Sequence, residues 1–170
     1  MALVAIGVTD KHNAIVFRKG HPALGMPELV LRVNAITSYS CVLAEPSVAS
    51  VLPHMSGRYV HVVETDLRGE GNLRSVILGK VAAASANVNN VILFGGERML
   101  CEVISEIDVV YHLKIFTEFE GFGPKKTFLF PRFNEGEWEI KRMSPFTVTC
   151  NGSGNRIGCN EMVLQRISRA

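Results

Sequence analysis

The sequence predicts an α/β protein with a mostly parallel central sheet and an antiparallel C-terminal hairpin at its edge. Strand-like and helix-like segments alternate over most of the chain. Two glycines join a strand to a helix within "VILFGGERML" (91–100), and the last third contains two long strand-like segments around a glycine-rich turn. Alternating strands and helices are typical of parallel sheets covered by helices, whereas strands joined in a hairpin are antiparallel.

The first half of the chain supplies three strands and two helices. "ALVAIGV" (2–8) is the compact apolar run expected of a strand buried on both faces. After a loop rich in glycine and proline, Pro27 begins a predicted helix over 27–36, with Glu28 in its first turn, where a carboxylate complements the helix dipole. The next elements are a strand at 40–43, a short helix at 46–52 and a valine-rich strand at 57–65.

The second half continues the alternation and then changes to a hairpin. A helix is predicted at 73–86, although Gly79 is a weak helix former within it. The strand that ends at the glycine pair leads into a helix with one apolar face. "DVVYHLKIF" (108–116) is another strand. The closing hairpin is formed by "EWEIKRMSPFTVTC" and "NEMVLQRI".

Length, charge and cysteine content exclude several classes of protein. The 170 residues, 47% hydrophobic and 20% charged, are typical of one globular domain over 1–170. A net charge of +2 is too small to favour nucleic acid, and no apolar run approaches the ~20 residues of a membrane span. Four scattered cysteines and five histidines show no metal-ligand spacing. We expect a cytoplasmic protein without metal, a monomer or a weak homo-oligomer, that binds neither nucleic acid nor membrane.

The glycine pair Gly95 and Gly96 has two interpretations. A tight turn needs glycine for its backbone conformation, and this ordinary explanation is the more frequent one for an isolated pair. Alternatively, bare main chain lets a ligand approach, and the amides at the start of the following helix favour an anion.

Six motifs in order along the chain decide between these interpretations. "LVAIGVTDKHNAI", "PEL" (27–29), "MSGRYVHVVET" (55–65), "ILFGGERML", "DVVYHLKIFTEFEG" with "FLFPRF", and "EWEI" together resemble the dihydrofolate reductase family from end to end. Riboflavin-pathway reductases share the glycine pair, but Phe-Pro followed by Trp138 favours the folate enzyme. The resemblance implies a three-layer dihydrofolate-reductase-like fold with helices on both faces of the sheet.

The resemblance also implies an activity, the NADPH-dependent reduction of 7,8-dihydrofolate to tetrahydrofolate. Hydride would pass from nicotinamide to pterin C6, while water delivers a proton to N5. Glu28 would be the catalytic residue: its two oxygens would accept hydrogen bonds from the pterin, and burial would raise its pKa. Arg58 would bind the glutamate-tail carboxylate. The ordinary alternatives are a Glu28 that only stabilises its helix and a solvated Arg58 at a strand start.

Other site residues follow from the same resemblance. The two glycines would be joined by a cis peptide bond, and Arg32 would occupy a pocket position one turn after Glu28. The implied substrate-binding residues are Val4, Ala5, Leu29, Arg32, Leu52, Met55, Arg58 and Phe94. The implied NADPH-binding residues are Ala5, Ile15, Gly95, Gly96, Glu97 and Arg98.

The cofactor end departs from the family pattern. "AEPSVASV" (44–51) replaces Gly-Arg-x-Thr, so Pro46 and Val48 stand where phosphate ligands belong, and Glu45 adds a negative charge. Leu113 replaces the threonine that supports the acidic residue, which removes a hydrogen-bond partner of Glu28. Basic residues elsewhere are candidate phosphate ligands: Arg18, Lys19, Arg68, Arg74 and Arg98.

These departures leave two further functions open. A reductase-like fold without hydride chemistry would serve as a ligand-binding or assembly module, and loss of the phosphate motif favours it. A related pterin or pyrimidine reductase would keep the glycines without needing Arg58. The insertion "GFGPKK" (121–126) is predicted to be a surface loop.

Overall fold

The computed structural model describes residues 2–53, 57–65, 72–119, 128–150 and 153–167, which form a seven-stranded sheet in the order β3-β2-β4-β1-β5-β7-β6. Neighbouring strands from β3 to β5 pair in parallel, and β7 pairs antiparallel with both β5 and β6. The predicted mostly parallel sheet with an antiparallel C-terminal hairpin is confirmed. The strands are β1 (Ala2–Thr9), β2 (Cys41–Ala44), β3 (Tyr59–Val62), β4 (Asn90–Phe94), β5 (Val109–Ile115), β6 (Trp138–Thr149) and β7 (Arg156–Arg166).

Helices cover both faces of this sheet, as the family resemblance implied. They are α1 (Pro27–Thr37), α2 (Pro46–Ala49), α3 (Leu73–Ser85) and α4 (Glu97–Leu100). A 3-10 helix at Pro22–Gly25 precedes α1, and another at Cys101–Glu106 continues α4. The helix predicted after the glycines is therefore one turn of α-helix followed by a 3-10 segment, and this segment bends at Val103, where the backbone leaves helical geometry (φ −126°, ψ 16°).

The alternation of side chains along β1 separates two apolar cores. Val4, Ile6 and Val8 face α1 and α2, while Leu3 and Ala5 face α3 and α4. Successive side chains of a strand point to opposite faces, so a run that is apolar throughout builds both cores at once. This is why the apolar run 2–8 lies in the middle of the sheet, between β4 and β5.

Three smaller predictions can be compared with the structure. Cys41, Cys101 and Cys159 are free thiols. No helix in the described ranges is long and apolar enough to cross a membrane, and the side chains described there include no grouping of three potential metal ligands. The insertion 121–126 lies outside the described residues.

Candidate functional site

Glu28 lies in the first turn of α1, directly after Pro27, whose ring suits the first position of a helix. The side chain is half-buried. Its Oε2 atom is shielded from solvent and accepts no hydrogen bond from the part of the chain that the structure describes. A carboxylate oxygen that is buried without a donor is rare in folded proteins and requires an explanation.

The pKa of Glu28 is lowered, which corrects the prediction that burial raises it. The largest cause is a hydrogen bond from its own main-chain amide; the hydroxyl and main chain of Thr149 and the charge of Arg156 lower the pKa further, against desolvation. Leu113 is fully buried in the apolar core and offers no hydrogen bond, as expected. Thr149, at the end of β6, faces the carboxylate from a different strand and makes up for the partner that is missing at position 113.

Arg58 is buried just before β3, with 3% of its surface exposed, so the alternative of a solvated arginine was wrong. Its Nη1 group donates to Asn34 Oδ1 at 3.1 Å and to Thr37 Oγ1 at 2.9 Å, both on α1. Nε and Nη2 are buried and have no acceptor among the described residues. Burial lowers the pKa of this guanidinium from its ordinary value.

Helix α1 holds these two groups at opposite ends. Glu28 precedes Asn34 by six residues and Thr37 by nine, which at 1.5 Å per residue is about 9–14 Å along the axis. An acceptor for hydrogen bonds at one end and a donor fork at the other suit an elongated ligand. Such a ligand presents N–H groups to Glu28 and a carboxylate to Arg58.

The apolar residues implied to line the pocket fall on both faces of the sheet. Four of the substrate-binding residues belong to the core under α1 and α2: Val4, Leu29, Leu52 and Phe94. Ala5 and Ile15 belong to the other core, because Ala5 alternates with Val4 along β1. Met55 lies outside the described residues.

Arg32 is engaged with the hairpin. Its guanidinium carbon lies 3.9 Å from the centroid of the Phe146 ring, and Nη1 is 3.4 Å from Glu161 Oε1. Arg142 pairs with the other oxygen of Glu161 at 3.0 Å. Arg32 therefore anchors α1 to β6 and β7, one turn after Glu28.

The glycine pair is covered by this chain's own side chains, which corrects the expectation of bare main chain. A Cβ atom on Gly95 would lie 2.8 Å from Glu45 Oε1, and one on Gly96 would lie 2.5 Å from the Phe128 ring. No described peptide bond is cis, so the bond between the two glycines is trans. In this geometry the Gly96 amide donates to Glu45 Oε1 at 3.1 Å.

These contacts do not fit an NADPH pyrophosphate at this place. The Gly96 amide is bonded to a carboxylate, and the Glu97 amide donates to the Leu129 carbonyl at 2.7 Å. Arg74 is bonded to Glu106 and to the Glu102 carbonyl, while Arg98 is exposed on α4.

Sequence reasoning missed four residues of this site. Asn34 and Thr37 hold Arg58, Thr149 faces Glu28, and Phe128 covers Gly96. Only the spacing of Asn34 and Thr37, one helical turn apart, was a signal in the sequence.

The sheet order, the helices on both faces and the position of α1 define an α/β protein with a dihydrofolate-reductase-like fold. Among solved structures, the chain is similar to dihydrofolate reductase from Enterococcus faecalis complexed with NADP(H) and RAB-propyl, at a TM-score of 0.73 and 18% identity. The match covers 98% of this chain and 97% of that one. No family model and no curated protein matches the sequence. At this identity the likeness concerns the fold.

Proposed function

We propose that this protein binds a folate-class ligand, with a pterin-like ring at Glu28 and the tail carboxylate at Arg58. The observation that carries the proposal is the pair of unsatisfied groups at the two ends of α1. Oε2 of Glu28 lacks a donor, and Nε and Nη2 of Arg58 lack acceptors, among the described residues.

The energetics favour a ligand over a purely structural role for Arg58. A buried donor without a partner costs about 1–3 kcal/mol, and more when the group is charged. Among the described residues, Arg58 uses only Nη1 for hydrogen bonds and leaves Nε and Nη2, on its other edge, without acceptors. A carboxylate with two oxygens at guanidinium spacing satisfies both in a bidentate pair.

The other end of the site selects a flat heterocycle with adjacent N–H donors. A carboxylate with a lowered pKa is ionised at neutral pH and accepts hydrogen bonds without donating any. Pterins present an amide-like N–H beside an exocyclic amino group, which matches its two oxygens. The Enterococcus faecalis neighbour is by name a dihydrofolate reductase, which supports this ligand class.

Reduction of the bound ligand by NADPH is the second candidate function. It is favoured by the neighbour, whose structure contains NADP(H), and by the end-to-end coverage of the fold. The hydrogen bond from Gly96 to Glu45 opposes it. The candidate is tested by following NADPH absorbance with dihydrofolate present, in wild type and in Glu28→Gln.

Calorimetric titration with folate tests binding without requiring turnover. We expect saturable binding by the wild type and at least a tenfold weaker affinity for Glu28→Gln and for Arg58→Met, about 1.4 kcal/mol each. Arg74→Met is the matched control, because Arg74 pairs with Glu106 at the surface.

Two results would count against the proposal. Wild-type protein without measurable affinity at folate concentrations of about 1 mM, the upper end of usual Michaelis constants, would favour the assembly-module interpretation. Equal losses in Arg74→Met and Arg58→Met would show that affinity follows net charge alone.

A further inference from the structure

Glu45 lies in the connection between β2 and α2 and is held there by its main chain. Its N–H donates to the Phe94 carbonyl at 3.2 Å, and its own carbonyl accepts from Val48 at 3.0 Å and from Ala49 at 2.9 Å. Only 6% of the residue is exposed. The backbone of the first turn of α2 therefore fixes where the side chain starts.

The side chain crosses from β2 to the start of α4. Oε1 accepts the hydrogen bond of the Gly96 amide, and glycine at position 95 leaves room for this path, since a Cβ there would lie 2.8 Å from Glu45 Oε1 and 3.0 Å from Glu45 Cγ. Burial raises the pKa of Glu45, while the Gly96 hydrogen bond and the charge of Arg98 lower it. Arg98 and the Gly96 amide, two groups suited to a phosphate, thus both interact with this carboxylate.

We propose that Glu45 competes with the phosphates of a dinucleotide for the Gly96 amide, and thereby sets this chain's affinity for such a cofactor. One N–H donates fully to one acceptor at a time, so a phosphate oxygen binds Gly96 only when the carboxylate has left. The displaced carboxylate would remain close to the phosphate, and like charges in a partly buried setting repel with little screening. This competition between Glu45 and a phosphate does not depend on whether the protein binds folate.

The test uses NADPH alone as the probe, titrated by its fluorescence into wild type, Glu45→Gln, Glu45→Ala and Glu102→Gln. Glu102 lies exposed on the 3-10 helix after α4, so its substitution changes net charge equally without touching Gly96. We expect Glu45→Ala to raise NADPH affinity at least about tenfold, the size of one charge-assisted hydrogen bond. Glu45→Gln should raise it less, because the amide oxygen still accepts from Gly96.

The position of the effect is read from the NMR signal of the Gly96 amide. It should shift in Glu45→Ala, and shift again when NADPH is added to that variant. The proposal would be overturned if Glu45→Ala and Glu45→Gln both bound NADPH within about twofold of the wild-type affinity, whatever that affinity is. An equal rise in Glu102→Gln would overturn it too. If Glu45→Ala does not fold, the nearly isosteric Glu45→Gln alone decides between these results.

Discussion

Replacing Arg58 by methionine should stabilise the ligand-free protein. Methionine keeps the length and apolar stem of the side chain but removes the buried charge and the two nitrogens, Nε and Nη2, that have no acceptor among the described residues. Residues that bind a ligand are commonly not optimal for the stability of the free protein. A higher free energy of unfolding in Arg58→Met would therefore distinguish a binding residue from a structural one.

The magnitude follows from the contacts. Removing two unsatisfied buried donors of a charged group gains about 3 kcal/mol each, the upper end for an unmade hydrogen bond, and losing the charge-assisted bonds to Asn34 and Thr37 costs about 1.5–3 kcal/mol each. Thr37 Oγ1 stays bonded to the Val33 carbonyl at 2.9 Å, so no new unsatisfied group appears there. The net expectation is about 1–2 kcal/mol of added stability, or roughly 3–6 °C in Tm for a chain of this size.

Urea denaturation and calorimetry without ligand measure this difference. Arg74→Met, at an exposed surface pair, should stay within about 0.5 kcal/mol of wild type. If Arg58→Met instead lost more than about 1 kcal/mol, Arg58 would be a structural bridge between α1 and β3, and the reasoning from its unsatisfied groups would fail.

Two further predictions concern stability alone. Gly79→Ala should stabilise α3 by about 0.5–1 kcal/mol in urea denaturation, because a Cβ at this exposed helical position meets nothing within 4 Å; an unchanged midpoint would contradict this. Acid should destabilise the protein through His21 and His112, whose burial lowers each pKa to about 4. Their contribution is complete above the unfolded pKa of 6.5 and is lost as pH falls toward about 4, near 2 kcal/mol for each histidine at about pH 5. The variant His112→Gln keeps a polar group beside Thr9. It should reduce the difference in unfolding free energy between about pH 7 and pH 5 by about 2 kcal/mol. An undiminished difference would show that His112 does not cause the acid destabilisation.

Local patterns in the sequence were sufficient for the architecture. The alternation of apolar segments predicted a parallel sheet, and Pro27 placed Glu28 in the first turn of α1, because these features depend on neighbours in sequence. The bend at Val103 was not predictable, since Met99, Leu100 and Val103 are all buried, as they would be on one face of a continuous helix.

The surroundings of the site residues depended on distant parts of the chain. The pKa of Glu28 is lowered first by its own main-chain amide, and Thr149, more than a hundred residues away in sequence, lowers it further against the effect of burial. The charge of Glu45 was visible in the sequence, but its bond to Gly96, 51 residues away, required the pairing of β2 with β4. The glycines looked suited to a ligand because the side chains that cover them come from elsewhere.

Folate and pteroate, which lacks the glutamate tail, provide the most direct test of a ligand held between Glu28 and Arg58. Affinities of both compounds should be measured for wild type, Glu28→Gln and Arg58→Met. Wild type should prefer folate at least about tenfold, Glu28→Gln should keep that preference while binding both compounds more weakly, and Arg58→Met should lose it. Equal binding of the two compounds by the wild type, or an undiminished preference in Arg58→Met, would contradict the account.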